Sequence, residues 1–412
     1  MLGRIIQSVI YIMVLTFRHL LSAQMTGRVL LMVINRYSSF DLSSEIDVTH
    51  KKITMNKLIC LVIFSFFSKH FDVKKTLRVM PLLTSLGLLV YAIVPMIAPG
   101  FAYLGLAVGT VIFSLSAGLS EVLLSPTVAA LPSKTPERDM SILHSLYAYG
   151  VLLVVIVSSL YLTFVGTEHW MYLAIFWAIL PLISCFLFFT SPIPNYDVSN
   201  SSTEKKASKK SLGFLLFIAC IFFGSAAENA MTNWVSSYVE SVLGLTKIWG
   251  NILGMALFAV LLGLARSLYA KYGKNISRVL MLGMIGAVAC YLTTAFSSNI
   301  IVSLIACVFT GFCTSMLWPG TLIYMEERFP NPGIAAYALM AAGGDLGASV
   351  TPQLLGIIVD TVSVTGWAKN LGNVLSLTPE QIGMKVGMLI AAIFPMIGIG
   401  VLIAMKKRFK KA

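Results

Sequence analysis

The stretch Ala117-Gly118-Leu119-Ser120-Glu121-Val122-Leu123-Leu124-Ser125-Pro126 has a counterpart in Thr310-Gly311-Phe312-Cys313-Thr314-Ser315-Met316-Leu317-Trp318-Pro319. Glycine leads proline by eight residues in each, and 193 residues separate Gly118 from Gly311 and Pro126 from Pro319. The same offset carries Gly150 onto Gly343 and His144 onto Tyr337. Segment 69–78, rich in Lys and Arg, lands beside a second basic segment, 266–278. One half of the chain repeats the other. Two parallel halves of about six helices each are the expectation.

Composition says what those helices are dissolved in. Of 412 residues, 57% are apolar and 11% are Asp, Glu, Lys or Arg, against about 45–50% and about 25% in soluble domains. The mean hydropathy is +0.86. So little polar surface excludes a soluble enzyme, a nucleic-acid binder and a disordered chain. A helix needs about 20 residues to cross the hydrocarbon layer. Apolar runs of that order lie near residues 53–68, 79–98, 101–124, 140–165 and 170–190, then 212–235, 249–270, 277–296, 299–325, 334–360 and 384–405. None alternates with period two, so a β-barrel is excluded. The fold class is an all-α membrane protein of about 12 spans in two six-helix bundles, the first span degenerate. Residues 5–17 are apolar but too short to cross, and Arg18-His19 interrupt them.

A formal charge of +13 resembles a nucleic-acid signal until the cations are placed. They cluster in alternate loops: Lys69, Lys74, Lys75 and Arg78; Lys134 and Arg138; Lys205, Lys206, Lys209 and Lys210; Arg266, Lys271, Lys274 and Arg278; and the tail MKKRFKKA. The intervening loops, IAPGF, VGTEHW and FSSN, are nearly uncharged. Lys and Arg accumulate on the cytoplasmic side, which puts the 191–211 linker and the C-terminus there. That linker, SPIPNYDVSNSSTEKKASKKS, is too polar to pack. The layout is an N-terminal bundle (1–190), the linker (191–211), a C-terminal bundle (212–405) and a basic tail (406–412). The six cysteines lie in or beside apolar runs without a Cys-x-x-Cys pair, so neither a disulfide framework nor a zinc site is expected. No cleavable signal is evident.

This layout resembles the major facilitator transporters, and particular residues resemble their fucose permease-like, sugar/proton symporter branch. They are Gly118-Leu119 with Glu121 and Pro126 in the fourth helix, His144-Ser145-Leu146-Tyr147 with Gly150 in the fifth, Trp318-Pro319 ending the tenth, and Gly343-Gly344 with Pro352 and Gly356 in the eleventh. The similarity covers roughly residues 53–405. It implies cytoplasmic loops that gate the carrier, with Asp72 and Arg78 in one and Arg266 and Lys274 in its repeat partner. Two departures stand out. The first gating loop, Phe71-Asp72-Val73-Lys74-Lys75-Thr76-Leu77-Arg78, lacks the family's glycine, and residues 1–40 hold no Asp or Glu to match the family's first-helix carboxylate. An N-terminus damaged or altered in frame is one reading of the second.

Charges within spans are costly, about 2.5–3.5 kcal/mol at mid-membrane on the mildest scale. Glu121 follows at least 15 uncharged residues and reads as a proton-coupling carboxyl or as a structural one bonded to a neighbouring helix. Glu228, Asn229, Asn233 and Trp234 crowd one stretch of the seventh helix, where amides can bind hydroxyls and an indole can stack on a sugar ring. Glu228 can alternatively be solvated near the surface. His144 and Tyr147 share a face at i, i+3, as substrate contacts or structural groups. Asp345 reads as a substrate contact or a packing contact, and Trp318 as a substrate platform or an interfacial aromatic. There is no second ligand at metal spacing beside His144, and no Walker loop, nucleophile elbow or His-Glu-x-x-His.

The expected function is therefore not enzymatic. It is secondary active transport, proton-coupled uptake of a sugar or similar small polar solute by alternating access, without cofactor or metal. The expected partners are the solute, protons and the lipid bilayer of a plasma or inner membrane, with no nucleic acid, and the carrier is expected to work as a monomer. The alternatives are a drug or metabolite exporter exchanging for protons, and a transport-dead degenerate permease acting as a sensor.

Overall fold

The computed structural model describes residues 72–191, 193, 207–246, 249–330 and 332–410. The interrupted first span, the span expected near 53–68 and most of the linker, residues 192 and 194–206, lie outside these residues. Every regular element among them is helical.

Four helices come first: α1 (Val73–Ile97), α2 (Ala102–Ala129), α3 (Pro136–Phe164) and α4 (Trp170–Thr190). Next come α5 (Ala207–Ser241), a π-helical stretch (Gly250–Ala256) running into α6 (Leu257–Tyr272), α7 (Ile276–Phe296), α8 (Ile300–Thr314) and α9 (Pro319–Arg328). The chain closes with α10 (Gly333–Ser363), α11 (Gly366–Leu375), α12 (Pro379–Ala391) and α13 (Ile393–Lys410). Among the described residues, ten helical stretches are long and apolar enough to cross a membrane, with α8–α9 and α12–α13 each forming one. Polar side chains cap the starts of some of them. Asn275 in the left-handed region (φ 55°) accepts from the Arg278 amide, and Thr378 with Gln381 forms a reciprocal capping box that opens α12.

Two compact units divide the chain: Met1–Ser201 with Pro332–Ala342, and Ser202–Asn331 with Gly343–Ala412. Lipid tails are as apolar as leucine, so helices associate in a membrane through close packing and interhelical hydrogen bonds rather than hydrophobic expulsion. The first unit uses both devices. A Cβ on Gly87 would stand 2.6 Å from the Phe113 amide nitrogen, and one on Gly109 would stand 2.6 Å from the Gly87 carbonyl. The backbones of α1 and α2 therefore touch, as only glycine permits. Hydroxyls then tie α1 to two neighbours: Thr84 and Ser116 of α2 are 2.7 Å apart, and Ser85 donates across to the Ala178 carbonyl of α4.

The second unit closes around Phe217, whose ring meets Tyr324, Phe329 and Phe409 edge-on or tilted. Tyr291 donates to the Ala227 carbonyl at 2.6 Å and Tyr238 to the Thr294 carbonyl at 2.7 Å, binding α5 to α7. Lys385 on α12 donates to the Ala295 and Ser297 carbonyls at the end of α7, a cation at a helix C-terminus.

Two local outcomes differ from the sequence expectation. Residues 73–78 are not loop but the first turns of α1, because Asp72 accepts from the Lys75 amide at 3.2 Å and starts the helix. The tenth span does not end at Trp318-Pro319. It breaks there and continues as α9 to Arg328.

Candidate functional site

In the first unit, Glu121 lies half-buried on α2 between the buried Ser120 and Val122. On α3, which packs against α2, His144 is buried and Tyr147 half-buried one turn later, followed by the buried Gly150. A carboxyl, an imidazole and a phenol thus lie on two adjacent helices of one unit.

The second unit holds a buried ion pair. Arg266 on α6 is 2% exposed, and its Nη2 lies 3.1 Å from Glu228 Oε2 and 3.3 Å from Oε1 on α5. The guanidinium also donates from Nε to the Ser315 carbonyl at 2.7 Å. That carbonyl is available for a covalent reason. In an unbroken helix it would accept from the N–H four residues on, and that residue is Pro319, which has none. A carbonyl orphaned inside a membrane costs several kcal/mol. Arg266 satisfies it, and Glu228 neutralises the cation. Three spans meet at one guanidinium.

Beside Glu228, the two amides run in series along α5. Asn233 donates to the Asn229 carbonyl at 2.9 Å, and Asn229 to the Ser225 carbonyl at 3.0 Å. Both are half-buried. Trp234 donates to the Pro352 carbonyl of α10 at 3.2 Å. Trp318 lies over Gly344, where a Cβ would stand 2.3 Å from its ring. Next in sequence, Asp345 is buried and its carbonyl accepts from Ser349. Glycines let α10 approach α5, since a Cβ on Gly347 would stand 2.2 Å from the Phe222 carbonyl oxygen.

The residues assigned to gating loops are spread out. Asp72 and Lys274 are exposed, and Arg78 is half-buried with its guanidinium 5.9 Å from the Phe189 ring. Arg266 stands inside α6, away from the exposed Lys271 and Lys274 with which its sequence position groups it. The pairing of Arg266 with Glu228 is absent from the sequence expectation. Its sequence signal is the charge-free run 250–265 before Arg266, coupled with a proline that strips a donor from a neighbouring span. Among the described residues, no three His, Cys, Asp or Glu side chains gather as for a metal.

Residues 54–352 match the family model for the major facilitator superfamily. The chain belongs to that superfamily. Solved superfamily members share the fold at low identity. The fucose:proton symporter FucP of E. coli is 16% identical with a TM-score of 0.68, over 94% of this chain and 97% of its own. The proton:xylose symporter XylE, bound to 6-bromo-6-deoxy-D-glucose, is 15% identical with a TM-score of 0.71, over 94% of each chain. No curated protein sequence matches the chain. This superfamily member is thus an all-α, multi-pass membrane transporter of the two-bundle fold.

Proposed function

We propose that this transporter is a proton-coupled carrier taking up a sugar or similar small polar solute by alternating access, Glu121 exchanging the proton and His144, Tyr147, Asn229, Asn233, Trp234, Trp318 and Asp345 contributing to solute recognition. The observation that carries the reading is that Glu121 is a half-buried acid on α2, a helix in contact with the one that bears His144 and Tyr147. A charged carboxylate is expensive inside a span, so protonation lowers the cost of re-orienting the site. The amides and indole of α5 suit hydroxyls and the apolar face of a sugar ring. The symporters that share the fold act on sugars with protons, which supports the substrate class. Without a nucleotide-binding loop in the sequence, the energy comes from an ion gradient.

The same reading places the carrier in a plasma or inner membrane as a monomer, its two bundles spanning 1–190 and 212–405, with the 191–211 linker and the C-terminal tail cytoplasmic. Asp72, Arg78 and Lys274 belong to the gating side, and the Glu228–Arg266 pair steadies the second bundle. Uptake of radiolabelled pentoses, hexoses and deoxyhexoses into proteoliposomes under an inward proton gradient tests it. The expected result is accumulation of at least one sugar that collapses when a protonophore is added. No uptake of any sugar, with efflux of toxic compounds instead, would assign an exporter. Sugar binding without translocation would assign a sensor.

A further inference from the structure

Helix α11 (Gly366–Leu375) is ten residues long, about 15 Å, and too short to cross a membrane. It is nonetheless built with care. Thr365 caps its start by accepting from the Ala368 amide, and it stops on Ser376 in the left-handed region (φ 55°), where the Leu377 amide donates to the Gly372 carbonyl at 2.9 Å.

Its surface has three sides. Ala368 and Gly372, one turn apart, are buried, and Gly372 packs so closely on the Leu377 carbonyl that a Cβ would stand 2.5 Å from it. Trp367, Leu371, Val374 and Leu375 form an apolar stripe left uncovered, from 40% exposed at Leu371 to 79% at Val374, and Val364, in the turn before the helix, is exposed as well. At ~100° per residue this stripe lies about 90° round from the buried side. Lys369, Asn370 and Asn373, all exposed, occupy the remaining side, about 145° from the stripe.

The position of α11 identifies what covers the stripe. It begins three residues after Ser363, where α10 ends, and stops four residues before Pro379, where α12 begins. Both neighbours belong to membrane-crossing stretches, so α11 is tethered at both ends at the plane where they leave the hydrocarbon. That plane is at the far end of the α12–α13 span from the basic tail. Leu354 and Ile357 are exposed apolar residues on α10, and the polar turn after them exposes Asp360 and Thr361, so α10 leaves the hydrocarbon close to where α11 begins. Trp367 is the residue type favoured at a membrane–water boundary.

We propose that α11 is an interfacial helix lying in the membrane plane, its Trp367–Leu371–Val374 stripe seated among the lipid headgroups and upper acyl chains and its Lys369–Asn373 side facing water. Its buried side docks on its own unit, so the helix couples the α10–α12 connection to the lipid surface. Lipid, rather than a protein partner, is the occupant because α11 is held at both ends by membrane-crossing stretches, at the plane where they leave the hydrocarbon.

Single nitroxides at residues 367, 369, 371, 373 and 374, in protein reconstituted at low density in phosphatidylcholine vesicles, test this. Collisions with oxygen should exceed those with a water-soluble nickel chelate at residues 367, 371 and 374, and the order should reverse at residues 369 and 373. Nickel access at residues 371 and 374 equal to that at residue 369 would overturn the proposal. So would exclusion of both reagents from the stripe together with a short spin–spin distance, since that assigns it to a second copy. If the labelled variants do not fold, quenching of tryptophan emission by lipids brominated near the headgroup serves instead. The quenched fraction should fall in W367F relative to the parent, and equal quenching in both would overturn the proposal.

Discussion

Arg266 and Glu228 form a buried ion pair, 3.1 Å between Nη2 and Oε2, inside a unit whose spans carry few other charges. The pair is anchored by the Ser315 carbonyl, 2.7 Å from Arg266 Nε, which Pro319 leaves without its helical donor. One proline in the tenth span therefore fixes the need for an arginine in the eighth, and that arginine fixes the need for an acid in the seventh.

Breaking such a pair from one side leaves an uncompensated charge, at about 3–5 kcal/mol. Glu228→Gln is expected to lower thermal stability in detergent strongly. Arg266→Met should do the same, stranding both the carboxylate and the Ser315 carbonyl. The double variant Glu228→Gln, Arg266→Met should unfold later than the sum of the two losses implies. Fluorescence-detected size-exclusion after a temperature ramp reads all three. Additive losses would show that the two side chains do not depend on each other.

Close approach of α5 and α10 depends on Gly347, whose Cβ would run into the Phe222 carbonyl. Gly347→Val is expected to cut the yield of monodisperse protein sharply. Gly400 on α13 faces open space, so Gly400→Ala should leave folding intact and add up to about 1 kcal/mol through helix propensity. Comparing the two yields and melting temperatures checks that packing, rather than glycine content, is what counts.

Much of this was legible in the sequence because charge is scarce: apolar runs broken by polar loops place the ten described spans, with ends that differ by up to six residues. The 193-residue offset pairs Pro126 with Pro319, yet Pro126 lies inside α2 whereas Pro319 opens α9 after a break. Burial of Arg266 was not legible, because it sits five residues before Lys271 in a basic-looking segment and its partner is on another helix. Pro319 read as a helix end for a related reason. The span continues because a side chain from α6 accepts the role of the missing backbone donor, which no local pattern reveals. Asp72 was visible as a loop acid, yet its work is to cap α1. What Glu121, His144 and Tyr147 do to a solute depends on the chemistry of that solute, which residue type alone does not specify.

Asp72 gives a pH dependence outside the spans. Its carboxylate accepts from the Lys75 amide and stands beside the Lys75 ammonium at 3.6 Å, and this holds its pKa below the ordinary aspartate value of 3.8. A depressed folded-state pKa contributes stability that is present above the unfolded value and lost as pH falls through the folded one. Amide exchange at Lys75 and Thr76 should therefore be independent of cap protonation at neutral pH and lose protection only below about pH 4. Asp72→Asn, which can still cap, should keep protection at neutral pH, whereas Asp72→Ala should lose it several-fold. Equal protection in all three proteins would remove the cap from the account.

Glu121 decides whether this superfamily member couples solute movement to protons. Glu121→Gln keeps the shape of the side chain and mimics its protonated form. Counterflow exchange and gradient-driven accumulation of the same labelled sugar, measured side by side in proteoliposomes, separate the coupling role from a structural one. The expected result is exchange within about twofold of the parent with accumulation under a pH gradient abolished. A Glu121→Gln carrier that concentrates sugar as the parent does, or that loses exchange and accumulation together, would show that Glu121 does not couple the proton.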